Sequence, residues 1–381
     1  MLHFSFYLIL PIIPFYMMEQ FGADNALIGI VLSCFTLTAL LVRPFSGFFL
    51  DLAARKPQYL LAYLGITGVY LGYMFAATIG FLIMVRLAHG LFLGTATTAG
   101  GTLVIDIMPS ERRGEGLGYF GMMNNLAMAT GPMVGMFLHN THPSNYTIIF
   151  GVSVVSCAIG WVVAMFIKAP PKPTVVKTPL SLDRFILLKG LWGSASLLLT
   201  AIPYAMVTSF VAVYASQLHI EGSSALFFVF FAAGLIASRL FAGKKIDRGQ
   251  LTKMIAIGTF GTSVAFLLLG ITAHLPVSGL LVSVYFYLTA VLTGMSYGMI
   301  FPAYNTFFVN LAHNNQRGTA SSTYMTSWDL GIGIGLLLGG QMSNIIGLSH
   351  VYMIGAVVCL LSFGIFTAFT APYYHRHKLR G

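Results

Sequence analysis

Residues 351–371 read VYMIGAVVCLLSFGIFTAFTA, an apolar run without a single charge. About 20 such residues cross the hydrocarbon core of a bilayer as a helix. Inside lipid only helices and closed barrels satisfy their own backbone groups. A barrel strand would alternate apolar and polar residues, and this run does not alternate. Neither does LLAYLGITGVYLGYMFAA at 60–77. The remainder is built the same way: of 381 residues, 57% are hydrophobic and 8% charged, against about 25% charged in a soluble domain. Such a chain cannot clothe a water-facing surface. The reading is an all-α membrane protein.

Working outward from that run, apolar segments at 2–18, 26–50, 58–77, 79–106, 115–138, 147–168, 186–215, 223–243, 252–273, 278–310, 318–346 and 350–371 predict twelve transmembrane helices. The net charge of +10 could be read as a nucleic-acid footprint, but the placement of the cations excludes that. With the N-terminus inside, every Lys and Arg except Arg43 and Arg86 falls in, or at the edge of, a cytoplasmic loop. The outer loops hold Glu19, Asp24 and Glu221 and no Lys or Arg. This is the positive-inside asymmetry, and it predicts a multi-pass protein of the plasma (inner) membrane with both termini cytoplasmic. The first run starts at Met1 without a basic leader and contains Pro11 and Pro14, so it is expected to be a retained span and not a signal peptide. It is short, and the natural start is expected a few residues upstream. Cys34, Cys157 and Cys359 are dispersed over predicted helices, as free thiols would be.

The only polar stretch of any length is 168–189, with Pro170, Pro171, Pro173 and Pro179, an extended linker by composition. It predicts a six-helix bundle at 1–168, a cytoplasmic linker at 169–188, a second six-helix bundle at 189–372 and a basic tail at 373–381. The halves repeat one another. Arg43, Gly47 and Asp51 recur as Arg239, Gly243 and Asp247, an offset of 196; Arg113-Gly114 leads to Asn125, Gly131 and Gly135 in the same steps that take Arg317-Gly318 to Asp329, Gly335 and Gly339, an offset of 204. Parallel duplication of a six-helix unit predicts a substrate site at the interface of the halves, near the bilayer midplane.

The loop after the second span runs from Gly47 through Asp51 to Arg55 and Lys56. The two bases suit the negative C-terminal end of a helix. Asp51 has the wrong sign there and calls for a partner, a helix N-terminus or a cation, in a contact that would lock the cytoplasmic face. A loop charge set that only fixes topology is the plainer alternative; its copy at Gly243, Asp247 and Arg248 argues for the gate. This loop resembles the signature loop of the major facilitator superfamily. Arg86-Leu-Ala-His89-Gly90 is similar to that superfamily's second motif. Pro11-Ile-Ile-Pro14 and Thr130-Gly131-Pro132-Met-Val-Gly135 resemble the first-helix motif and the kinked antiporter motif of its twelve-span drug:proton antiporter family. Departures are Leu52 for a base, Ala54 for Gly, His89 for Gln, and Ala127 and Met136 for glycines of the antiporter motif. The resemblance implies the major facilitator fold, a coupling role for Arg86, and export by proton antiport.

Two deep charges stand out. Arg86 lies roughly 10 Å inside the outer end of its span, where an unpaired cation costs about 2.5–3.5 kcal/mol; it acts in proton relay or substrate contact, or it is a structural cation tying helices together. Asp329 lies roughly 16 Å from the cytoplasmic end of span eleven, and its repeat mate is Asn125. Burial disfavours a charged carboxylate and a nearby cation favours it. Alternation between such surroundings takes up and releases a proton; fixed pairing with Arg86 or Arg43 is the alternative. Asn124, Tyr304, Asn305 and Asn310 are uncharged polar residues at depth, each either lining a cavity or bonding helix to helix.

The string Gly294-Met-Ser296-Tyr-Gly298 spells a nucleophile elbow but lies inside a helix, where that motif does not function. His139, His142, His219, His274 and His350 sit on the outer side without metal-type spacing, and no nucleotide-binding loop is present. No metal, cofactor, nucleic-acid partner or enzymatic activity is expected. The expectation is a monomeric, proton-coupled exporter of small organic compounds, with a proton-coupled or facilitative importer of a sugar or other metabolite as the alternative on the same fold. An intramembrane enzyme or a sensor would need a paired nucleophile and base, or an attached soluble domain.

Overall fold

A computed structural model describes residues 1–52, 55–108, 113–169, 186–221, 224–276, 279–312 and 317–379. Among these residues there are helices and no strands. The chain divides into two compact units, Met1–Ala23 with Val31–Pro179, and Asp24–Ile30 with Leu180–Gly381.

In the first unit α1 (Leu2–Ile9) and α2 (Ile12–Phe21) form one apolar run bent by 46°. Pro11 stands at the bend, where its ring and missing N–H break a helical ladder. Gly22 ends α2 with φ 60°, its N–H bonded to the Met17 and Met18 carbonyls, the left-handed cap that glycine favours. There follow α3 (Asn25–Leu52, in this unit from Val31 onward), α4 (Arg55–Met74), α5 (Ile79–Ile107), α6 (Arg113–Thr141) and α7 (Tyr146–Met165). The Thr78 hydroxyl accepts from the Phe81 N–H and so caps α5.

The second unit contains α8 (Leu191–Gln217), α9 (Ala225–Asp247), α10 (Leu251–Ile271), α11 (Leu280–Leu311), α12 (Arg317–Ile365) and α13 (Ala371–His377), with a π-helical turn at Phe366–Thr370. Within α8 every residue from Pro203 to Ala215 is buried, which fits the apolar character of that stretch on all faces. Helix α12 holds both of the last two predicted spans. Gly347 divides them with φ 79° and ψ 158°, a conformation essentially closed to residues with a side chain.

Among the described residues eight helices are long and apolar enough to cross a membrane, or nine if α1 and α2 count as one broken span. The twelve predicted spans exceed this number because α12 contains two of them and because α4 and α6 are the least apolar of the long helices. Leu61, Phe75, Met84, Phe241 and Ile345 are among many large apolar side chains left exposed. A soluble surface does not carry apolar area on that scale, whereas a lipid-facing one requires it.

The repeat is visible in how each unit packs. A Cβ on Gly135 of α6 would stand 2.2 Å from the Leu8 carbonyl oxygen of α1, and one on Gly131 would stand 2.7 Å from the Tyr7 Cβ. In the second unit Gly335 of α12 faces the Ile202 carbonyl of α8 at the same 2.2 Å, and Gly339 meets Met206. A second pair shares the 204 offset: Gly90 and Gly94 of α5 back onto Phe35 and Ala39 of α3, while Gly294 and Gly298 of α11 back onto Phe231 and Leu235 of α9. Small residues allow helix backbones this close in a membrane, and the two units use them at equivalent places.

Candidate functional site

Arg86 projects from α5 into the first unit and is 0% exposed, so it does not face lipid. Its Nη2 donates to the Leu32 carbonyl at 2.9 Å, its Nη1 to the Tyr73 hydroxyl at 3.4 Å, and its guanidinium carbon lies 5.0 Å from the centre of the Phe35 ring. The cation is thus held by a carbonyl, a phenol and an aromatic face from α3 and α4, with no acidic partner among the described residues. The Tyr73 hydroxyl is also 3.0 Å from His89 Nδ1. Arginine only donates, so Tyr73 accepts from Arg86 while sharing a hydrogen bond with His89. His89 Nε2 is a buried atom with no partner among the described residues. The Tyr70 hydroxyl and Thr36 Oγ1 in the same unit are buried and have no hydrogen-bond partner among the described residues. Tyr73 and Phe35 escaped the sequence reading because nothing in an apolar run says which aromatic residue meets the arginine of another helix.

At the predicted cytoplasmic end Arg55 pairs with both carboxylate oxygens of Asp106, joining the start of α4 to the end of α5, and Lys56 Nζ donates to the Met165 carbonyl of α7 at 2.7 Å. Asp106 was missed. Its signal was an acid at the C-terminal end of a helix, where the dipole disfavours it without a cation.

Asp329 lies about twelve residues into α12, roughly 18 Å along it, and is half-buried. The adjacent Trp328 ring is 4.8 Å from those of Tyr204 and Phe301 and 6.3 Å from that of Tyr297. Trp328 thus joins an aromatic cluster from α8 and α11, and Asp329, the next residue, points about 100° further around the helix. Tyr304 is fully buried and makes the helix-to-helix bond of the two alternatives: its hydroxyl is 2.6 Å from Ser196 Oγ, which is 2.9 Å from Ser362 Oγ, which is 2.9 Å from Thr200 Oγ1. Asn310 likewise donates to the Tyr374 hydroxyl at 2.9 Å. Asn305 is exposed on α11, and Asn124 is half-buried on α6 with its Oδ1 unpartnered among the described residues.

Arg43 and Arg239 are half-buried at equivalent places on α3 and α9, and Arg248 is exposed just beyond α9. Gly243 has nothing within 4 Å of where a Cβ would stand. Pro132 is buried inside α6 next to Gly131. The surroundings of Gly47, Asp51, Asn125 and Asp247 lie outside the described residues.

The profile of the Major Facilitator Superfamily matches residues 1–336 and 278–380. The staphylopine export protein of Staphylococcus aureus is 23% identical over 361 residues, covering 90% of this chain and 87% of that one. Among solved structures, the peptide transporter POT superposes with a TM-score of 0.80 at 16% identity over 99% of this chain and 93% of its own; a nucleoside transporter does so with a TM-score of 0.71 at 15% identity, over 96% of each. At those identities the solved structures speak for the fold alone. Matched by that family over essentially its whole length, the chain belongs to the Major Facilitator Superfamily and is a multi-pass membrane transporter of that type.

Proposed function

We propose that this transporter exports small organic compounds in exchange for protons, by alternating access. The observation that carries the reading is Asp329, a half-buried carboxylate about halfway along the apolar stretch of α12 before Gly347. A charged acid at that depth is costly. It is discharged by a proton taken from outside as substrate leaves, and recharged when the proton is released inside. The aromatic cluster around Trp328 suits cargo with an apolar body. The outward direction is supported by the staphylococcal relative, whose name is that of an export protein.

In this reading Arg86, with Tyr73 and His89, is the second polar centre of the coupling path. Arg43, Asn124, Asn125 and Asn305 contact substrate or protons, and Tyr304 positions α11 through its hydroxyl chain. Gly131, Pro132 and Gly135 shape the bend and packing of α6. Gly47, Asp51, Arg55 and Lys56, with Arg239, Gly243, Asp247 and Arg248, work the cytoplasmic gate. The protein sits as a monomer in the plasma membrane with both termini cytoplasmic, its six-helix bundles joined by the linker at 169–188.

Transport in proteoliposomes under an imposed pH gradient, against a panel of amphipathic compounds, tests this. At least one compound should move uphill, opposite to the proton flow, and only while the gradient lasts. Accumulation in the same direction as the protons, or flux that stops at equilibrium with the gradient intact, overturns the proposal.

A further inference from the structure

His274 ends the 3₁₀ turn Thr272–His274 that follows α10, and His350 stands three residues after the break at Gly347 in α12. They are 76 positions apart, yet their ring centroids are 5.5 Å apart with the ring planes at 71°. Both are exposed. The cradle beneath them is tight: a Cβ on Gly270 would stand 2.9 Å from the Ser349 carbonyl oxygen.

The hydrogen bonds fix where each neutral ring keeps its lone pair. His350 Nδ1 lies 2.7 Å from the Ile346 carbonyl, which only accepts, so Nδ1 holds the proton and Nε2 the lone pair. Ser349 Oγ donates its single proton to the Gly270 carbonyl at 2.8 Å. Its contact with His274 Nε2 at 3.0 Å is therefore one in which His274 donates, leaving the lone pair on Nδ1. Each imidazole thus gives its N–H to a protein oxygen and presents its other nitrogen free. Metal-ligating histidines are oriented in this way by their outer partners.

We propose that His274 and His350 form a surface site for a divalent transition-metal cation of the zinc, nickel or copper class. An ion bound at 2.0–2.1 Å by both nitrogens would stand roughly 3.2 Å from each ring centroid, so centroids 5.5 Å apart lie within the span that one ion can bridge. Water completes the coordination on the exposed side. Magnesium and calcium, which take oxygen ligands, are excluded by the donor set. The sequence gives no hint of the pair, because the two residues meet only through the fold.

The test uses the full-length untagged chain in lipid nanodiscs, titrated with Zn²⁺ by calorimetry and with Cu²⁺ by electron paramagnetic resonance. The expected result is one saturable equivalent whose Cu²⁺ spectrum shows two nitrogen ligands. His274→Ala and His350→Ala, and His350→Gln as the milder variant, should each weaken binding by about tenfold or more, equivalent to about 1.4 kcal/mol. His142→Ala and His219→Ala should leave it unchanged. Affinity unaltered in the His274 and His350 variants, equal loss in the His142 and His219 controls, or no saturable binding by the unmodified chain each overturns the proposal.

Discussion

Arg86 reaches Tyr73 at 3.4 Å, and through that one hydroxyl the arginine is coupled to His89, 3.0 Å further on. Tyr73→Phe keeps the ring and removes the link, leaving Arg86 Nη1 and His89 Nδ1 without this partner. Buried groups stripped of a partner cost about 1–3 kcal/mol each in water-soluble proteins, while hydrogen bonds between membrane helices average less, with a maximum of about 1.7 kcal/mol. The expected cost is therefore about 1–2 kcal/mol, read as a lower midpoint of thermal unfolding in nanodiscs. Arg86→Lys should not restore function, since an ammonium cannot reach the Leu32 carbonyl and Tyr73 while stacking on Phe35. Wild-type melting in Tyr73→Phe would show the hydroxyl to be idle.

The glycines make a paired prediction. Gly135 and Gly335 each leave 2.2 Å between a notional Cβ and a backbone oxygen of the first helix of their own unit. Neither α1 nor α8 can yield a main-chain carbonyl as it would yield a flexible side chain. Gly135→Val and Gly335→Val should each destabilise by about 1–3 kcal/mol or more, as overpacking does, and lower the yield of folded protein. Gly121, also on α6, has nothing within 4 Å. Gly121→Ala should gain helix propensity, about 1 kcal/mol at most. Equal effects of the valine and alanine substitutions on stability would mean that the close approaches do not govern packing.

The helices and the duplication were legible in the sequence because each depends on periodicity or spacing along one chain. Pro11, Gly22 and Gly347 mark breaks by local backbone chemistry, which a sequence also displays. The number of spans was less legible: α4 and α6 are the least apolar of the long helices, and a helical run continues across Gly347. Partner choice was not legible. Arg55 with Asp106, Arg86 with Tyr73 and Tyr304 with Ser196 and Ser362 join residues far apart in sequence, on different helices. In an apolar sequence with several candidate hydroxyls, only the packing selects one.

The pairing of Arg55 with Asp106 predicts a charge-reversal rescue. Both side chains are partly exposed, at 16% and 22%, so the pair is worth about 0.5–1 kcal/mol, the upper part of the surface range. Asp106→Asn should slow transport by loosening the α4–α5 junction, more at low than at high salt. The double variant Arg55→Asp with Asp106→Arg should recover part of the loss. If the double variant is worse than both single variants, the contact acts through shape or topology and not through charge.

Asp329→Asn is the test that separates coupling from binding. The residue lies on α12 about midway between Arg317 and Gly347. Its mate in the repeat is Asn125, so an amide already occupies the equivalent position in the other half. The substitution should therefore be structurally mild, with a melting midpoint within a few degrees of wild type. An amide does not titrate in the physiological range, so the variant should lose uphill export driven by a pH gradient, by tenfold or more in initial rate. Exchange of substrate for substrate in the same vesicles should survive, since it moves no net proton. Loss of both modes would make Asp329 a substrate contact, and uphill transport at the wild-type level would make it structural and place the proton site elsewhere.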